Sequence, residues 1–224
     1  MIKISLLLVA ALAFVSCKKT TSTPTTPVTT TNNNPVKLDS SSASSAYYLS
    51  ATIDSKSWGG FESVIKNLQF GYSEGKSVDS QNNILDMKLT TDLMKIDTTS
   101  QDFKYIDALE IGVNAIKMDY HKFYNDDSLF YAMLKVGNNN FAQGDGNGIN
   151  VSYVITADGS EWSTTAGSQV GSLFTITSIK KVDGQTSTSA EIKGTFSCKL
   201  YNISNPSATP KIVTNGMFNL SIVK

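Results

Sequence analysis

Beyond residue 46, runs in which apolar and polar side chains alternate one for one recur along the chain. Leu49, Ala51 and Ile53 stand against Ser50, Thr52 and Asp54, and Leu85, Met87 and Leu89 against Asp86, Lys88 and Thr90. Leu109, Ile111 and Val113 form a third set, and Ile149, Val151, Tyr153 and Ile155 a fourth, opposite Asn150, Ser152 and Thr156. From Glu191 to Leu200, Ile192, Gly194, Phe196, Cys198 and Leu200 alternate with Glu191, Lys193, Thr195, Ser197 and Lys199. Phe218, Leu220 and Ile222 close the series. A period of two sends successive side chains to opposite faces of a strand, so each run predicts a half-buried antiparallel strand with one wet face.

Asp158-Gly159, Asp183-Gly184 and Asn215-Gly216 accept positive φ and predict tight turns or bulges, while Pro206 to Pro210 reads as a surface loop. A 3.6-residue period is weak throughout. Phe103, Ile106, Leu109 and Val113 come closest to it, which leaves room for one short helix within residues 102–118. Many short strands, turn signals between them and no strand–helix alternation predict an all-β fold. An antiparallel β-sandwich is the expected architecture, with a lipocalin-like β-barrel as the alternative.

The first 46 residues depart from this pattern. After Lys3, an apolar run from Ile4 to Val15 is broken only by Ser5. Its dozen residues would make a helix of roughly 18 Å, against the ~30 Å of a bilayer core, so residues 1–16 read as an export signal and not as a span. The run ends in Leu12-Ala-Phe-Val-Ser-Cys17, which resembles the lipobox of bacterial lipoproteins, with Phe14 where Leu is commonest. In that family the cysteine thiol receives a diacylglyceryl group, the signal is cut just before it and the new amino terminus is acylated. The resemblance implies lipidation of Cys17 and an outer-membrane anchor, since two acyl chains exceed the marginal, reversible binding of one. Residues 18–46 hold eight Thr, six Ser, three Pro and three Asn and almost no large apolar side chain. Such a segment buries too little surface to offset its backbone entropy, and as a random coil it would span about 30 Å, the length of a spacer.

Residues 47–224 make one domain's worth of chain. Nineteen basic and nineteen acidic residues cancel, so there is no electrostatic case for nucleic acid. Charged residues are only 17% of the chain while Thr, Ser, Asn and Gly abound, which fits a β-rich extracytoplasmic protein. With Cys17 taken by lipid, Cys198 alone remains, so no intramolecular disulfide, CxxC site or zinc cluster can form. The alternation puts the Cys198 thiol on the apolar face, where it is buried and inert.

Ala51-Thr-Ile-Asp-Ser-Lys-Ser-Trp58 resembles the opening strand and turn of many uncharacterised Bacteroidota lipoproteins. Ile192-Lys-Gly-Thr-Phe-Ser-Cys-Lys-Leu-Tyr201 and Val213-Thr-Asn-Gly-Met-Phe218 resemble their closing strands. The resemblance covers both ends of the folded domain and not its middle. It implies a secreted, lipid-anchored, β-sandwich-like domain and no activity. Ser55 stands where that family usually has Gly, which argues against a two-residue positive-φ turn at Asp54-Ser55. Asp97-Thr98-Thr99 and Asp127-Ser128-Leu129 resemble the short O-glycosylation motif of Bacteroidota proteins and fit exposure outside the cytoplasm.

Catalytic chemistry finds little support. His121 is the only histidine and no nucleophile-elbow motif accompanies it, so no Ser-His-Asp hydrolase is expected. Asp126, Asp127, Asp158 and Glu161 are the carboxylates from which a glycosidase pair would be drawn. Gly144-Asp-Gly-Asn-Gly148 lacks the Lys-Ser/Thr of a phosphate loop, and Asp145 and Asn147 supply two oxygens where calcium needs about six or seven. It reads as a hairpin loop extended by Asn138-Asn-Asn140, with no calcium and no cofactor expected. Aromatic side chains are the better lead, because tethered β domains often stack sugar faces on Trp or Tyr. Trp58, Tyr120, Tyr124 and Trp162 are the candidate ligand-binding residues. The favoured reading is a lipoprotein carrying a non-catalytic domain that binds a glycan, a peptide or an envelope partner. A polysaccharide-acting hydrolase with paired carboxylates and a purely structural envelope protein are the alternatives.

Overall fold

The structure, a computed structural model, describes residues 47–61, 68–78, 84–97, 104–116, 119–183 and 188–224. The export signal, Cys17, the spacer, Thr98-Thr99 and Gly184 lie outside the described residues. In chain order the strands are β1 (Tyr48–Ile53), β2 (Lys56–Phe61), β3 (Leu68–Val78), β4 (Ile84–Asp97), β5 (Lys104–Ile116), β6 (Gly137–Asn138), β7 (Gly148–Ile155), β8 (Ser160–Ser163), β9 (Leu173–Asp183), β10 (Thr188–Asn202) and β11 (Lys211–Val223). Two short helices, α1 (Tyr120–Asn125) and α2 (Asp127–Ala132), lie between β5 and β6.

One sheet runs β2-β1-β11-β10-β9-β6 and the other β3-β4-β5-β7-β8, every ladder between them antiparallel. β10 is long enough to belong to both. Its Thr188 to Ser197 stretch pairs with β9, and Tyr201 and Asn202 go on to pair with Ser163 and Trp162 of β8. No ladder joins β2 to β3 among the described residues, so the sheets stay open on that side and form a sandwich, not a closed barrel. No described helix is long and apolar enough to cross a membrane.

The predicted alternation holds at the core. Leu49, Ala51, Ile53, Met87, Leu89, Leu109, Ile111, Val113, Ile149 and Val151 are all buried, as are Phe218, Leu220 and Ile222. Between β9, β10 and β11, Phe174 stacks on Phe218 with ring centroids 5.0 Å apart. Gly194 lies directly opposite Phe218, and Gly216 opposite Phe196. Each ring lies over the glycine across from it, where a Cβ would collide with the ring. That close approach explains why glycine occupies an apolar-face position in the Ile192 to Leu200 run.

Three sequence expectations need correction. The helix allowed within residues 102–118 is strand β5 over its described part. Leu109, Ile111 and Val113 satisfy period two as well as period 3.6, and pairing with β4 on one side and β7 on the other decides between them. Asp54 and Ser55 do form a positive-φ pair, at 47° and 66°, turning β1 into β2. The Asp54 side chain supports the turn: Oδ1 accepts from the Ile212 backbone N–H at 2.9 Å and Oδ2 from Lys211 Nζ at 3.4 Å. Lastly, the polar face of β7 is dry. Asn150 and Ser152 are buried with Ser163 and Thr164, and Ser163 Oγ and Thr164 Oγ1 both donate to Asn150 Oδ1, at 2.8 and 3.1 Å.

Turn chemistry meets its expectations at two sites. Asp158-Gly159 makes the β7–β8 turn, with Asp158 Oδ1 accepting from Ser160 N–H. Asn215, at φ 53°, sits in a bulge of β11 where the register with β10 shifts. The helices begin where carboxylates cap them: Asp119 accepts from Lys122 N–H at α1 and Asp126 from Ser128 N–H at α2. Their Phe123 and Phe130 are fully buried and plug one end of the sandwich, tied down by Lys224 Nζ on Asp127 at 2.6 Å.

Candidate functional site

An open groove of about 670 Å³ lies between two segments that carry little regular structure. One wall is the stretch from Asn139 to Gln143 that follows β6; the other, Thr165 to Ser172, connects β8 to β9. Backbone hydrogen bonds hold the first wall. Asn139 N–H donates to Phe174 O at 2.8 Å, Ile149 N–H to Asn140 O at 2.9 Å, and Ala142 N–H to Ile149 O at 2.8 Å. Gly148 adopts φ 136°, and a Cβ there would meet the Asn140 carbonyl, so only glycine lets these chains approach.

The second wall is held by a side chain that behaves as a strand residue. Gln169 Nε2 donates to Thr164 O at 3.0 Å and to Lys199 O at 2.7 Å, and its Oε1 accepts from Lys199 N–H at 3.1 Å. The amide thereby extends the β10 hydrogen-bond pattern past its last paired partner. The Tyr201 ring lies on Gly167, and its hydroxyl donates to Ser168 O at 2.7 Å. Gly144 N–H bridges the walls by donating to Thr165 O at 3.1 Å.

No lining residue carries a titratable side chain. Asn140 and Gln143 are exposed, and their side-chain amides bond to no described residue. Phe141 is half-buried and meets Phe174 edge to face, centroids 6.1 Å apart, while Val170 is 79% exposed across the groove. The site therefore offers uncharged donors and acceptors beside small apolar surfaces, on walls already ordered.

The aromatic residues singled out in the sequence lie elsewhere. Trp58 and Trp162 occupy inner-face positions near the end of the sandwich opposite the helices, with Tyr153 between them: Tyr153 pairs with Trp162 in register and meets Trp58 edge-on at 6.1 Å. The Tyr153 hydroxyl donates to Asp107 Oδ2 at 2.9 Å, and burial first, then that carboxylate, pushes its pKa up. Lys211 Nζ stands 4.4 Å from the centre of the Trp162 ring and covers one face of it. Tyr124 belongs to α1 and donates its hydroxyl to Glu74, with Lys76 over its ring at 5.2 Å. Trp58, Tyr124 and Trp162 all pack half-buried against the core. The Tyr120 side chain lies outside the described residues. The structure thus brings Trp58 and Trp162 together, leaves Tyr124 apart, and puts the groove at neither place.

The sequence-predicted carboxylates are engaged in structure. Asp126 caps α2, Asp127 binds Thr188 Oγ1 and Lys224, and Asp158 caps its turn; hydrogen bonds hold all three pKa values below the usual carboxylate range. Glu161 is exposed on β8, and His121 is exposed on α1. Cys198 is buried, and burial pushes its thiol pKa up. Asp145 and Asn147 are exposed in the turn before β7, and no three His, Cys, Asp or Glu side chains gather around a metal position among the described residues.

A carboxylate pair does form at residues the sequence did not single out. Asp92 on β4 faces Glu110 on β5 directly across the ladder, on the outer face of the second sheet. Burial, then the Glu110 charge, pushes Asp92 up to about 6. Burial also raises Glu110, against the pull of Lys88 Nζ at 3.6 Å. Strand register decides this meeting, and register is not written in either residue's local pattern. The groove was equally hard to anticipate, because its walls follow no period and read only as polar loops.

No protein-family model, no curated protein and no solved structure matches this chain.

Proposed function

We propose that the chain is an exported lipoprotein, held to the outer membrane by acyl groups on Cys17, whose sandwich is a non-catalytic binding module for a glycan, a peptide or an envelope partner. The groove between residues 139–143 and 165–172 carries this reading, because it is concave, pre-ordered and lined by uncharged hydrogen-bonding groups. Nothing in its lining can give or take a proton near neutral pH. Such a lining supports the binding reading.

Two measurements test the reading. Mass spectrometry of the membrane-fraction protein should find Cys17 as an acylated amino terminus; recovery of an unmodified thiol in the aqueous fraction overturns the anchor. Calorimetric titration of full-length protein in detergent against soluble polysaccharides and oligopeptides should find a saturable ligand; a panel without one overturns the binding module. The hydrolase reading keeps one supporting observation, the Asp92–Glu110 pair with Asp92 pushed up to about 6. It expects reducing ends released from a polysaccharide and their loss in Asp92→Asn.

A further inference from the structure

We infer that the groove takes a neutral carbohydrate, with the amides of Asn140 and Gln143 paired to sugar hydroxyls and Phe141 and Val170 set against sugar C–H surfaces. This rests on the binding-module reading and names the ligand class of that same site.

The chemistry of the lining leads there. A ligand that carries charge needs a counter-charge or a cluster of converging donors, and no lining residue is ionisable. The nearby Lys199 ammonium donates one of its three hydrogens to the Val170 carbonyl at 3.1 Å and keeps its charge, so salt dependence is what separates a neutral ligand from an anionic one. A hydrophobic ligand needs apolar walls, whereas Phe141 and Val170 stand among Asn, Gln, Ser and Thr side chains. What remains is a ligand with many hydroxyls. Each hydroxyl both donates and accepts, and so does each carboxamide, so one amide can accept from one hydroxyl while donating to the oxygen beside it.

The free amides sit where such pairing costs least. Asn140 and Gln143 flank Phe141 on a wall whose backbone is held by Phe174 and Ile149, and Gln169 and Tyr201 hold the opposite wall. The wall backbones are already held, so what binding still costs on the protein side is fixing the two exposed amide side chains. The volume of about 670 Å³ falls in the range of ~300–1,000 Å³ usual for small-molecule sites. An extended peptide is the poorer fit, because the lining residues belong to two loop segments and not to a strand whose edge a peptide could extend.

Affinity electrophoresis and calorimetry on the full-length protein in detergent, against neutral glucans, mannans and galactans and against uronic-acid and sulfated polysaccharides, test this. A neutral polysaccharide should bind, with affinity changing less than about twofold between roughly 50 and 500 mM salt, since no charge pair forms. Asn140→Ala with Gln143→Ala should weaken it by about tenfold. Both side chains are exposed, so the circular-dichroism melt should not move, and a lowered melt with unchanged affinity overturns the assignment. Binding of the neutral glycan undiminished in the double variant places it outside the groove and overturns the inference while the binding module stands. Retention of anionic polysaccharides alone, or affinity that collapses with salt, also overturns it. Failure of every polysaccharide overturns it as well, and if oligopeptides fail too, the binding-module reading falls with it.

Discussion

Ser55 shows how a single backbone position can be held against its own preference. A non-glycine residue at φ 66° carries roughly 1–2 kcal/mol of steric cost, and the hairpin tolerates it because Asp54 clamps the start of β11. Ser55→Gly should therefore raise stability by about 1 kcal/mol, seen as a melt about 2–4 °C higher; an unchanged or lower melt would show that the turn carries no such cost. Gly194 is the converse case. A Cβ there would run into the Thr175 carbonyl oxygen and the Phe218 ring, so Gly194→Ala should cost about 3 kcal/mol by denaturant titration. The apolar-face assignment of Gly194 and the burial of Cys198 were both legible from alternation alone. The conformation at Ser55 was not, because its cause is an aspartate gripping a strand more than 150 residues away.

At the scale of an element, alternation tells which residues face inward but not which stand opposite one another. β5 read ambiguously because Leu109 and Val113 suit a helix as well as a strand, and its neighbours on both sides settle the matter. The same missing register hid the Asp92–Glu110 pair. With its carboxyl pushed from 3.8 to about 6, Asp92 holds its proton longer in the folded chain than in the unfolded one. Below about pH 4 both states are protonated and no cost arises. Between about pH 4 and 6 the folded state binds more protons, so stability falls as pH rises, by about 2 kcal/mol after allowance for partial exposure. Asp92→Asn should then equal the native protein near pH 4 and exceed it by about 2 kcal/mol at pH 7. Urea titrations at four pH values measure this, and a difference that stays constant with pH would refute it.

For the whole molecule, the two sheets are joined by β10, and the crossing from β8 to β9 must be fastened to that strand for the groove to exist. Gln169 is the fastening. Two of its bonds replace a missing strand partner for Lys199, and the third, to the Thr164 carbonyl, ties its own segment back on itself. The sandwich was legible in the sequence because β1, β4, β5, β7, β10 and β11 repeat one simple pattern. This fastening was not, since it consists of a lone glutamine doing a backbone's work inside a loop with no period. Removing the amide leaves the Lys199 N–H and carbonyl without partners in a part-buried setting, a loss of about 2 kcal/mol. Gln169→Ala should lower the melt by about 4–8 °C, speed hydrogen exchange at the Lys199 amide, and weaken whatever the groove holds even though Asn140 and Gln143 are untouched. Gln169→Glu should reproduce most of the loss, because a carboxylate cannot donate to the Thr164 and Lys199 carbonyls. A full-strength melt in both variants would mean that Tyr201 and the Gly144–Thr165 bridge suffice to hold the wall, and the groove's order would then rest on them instead.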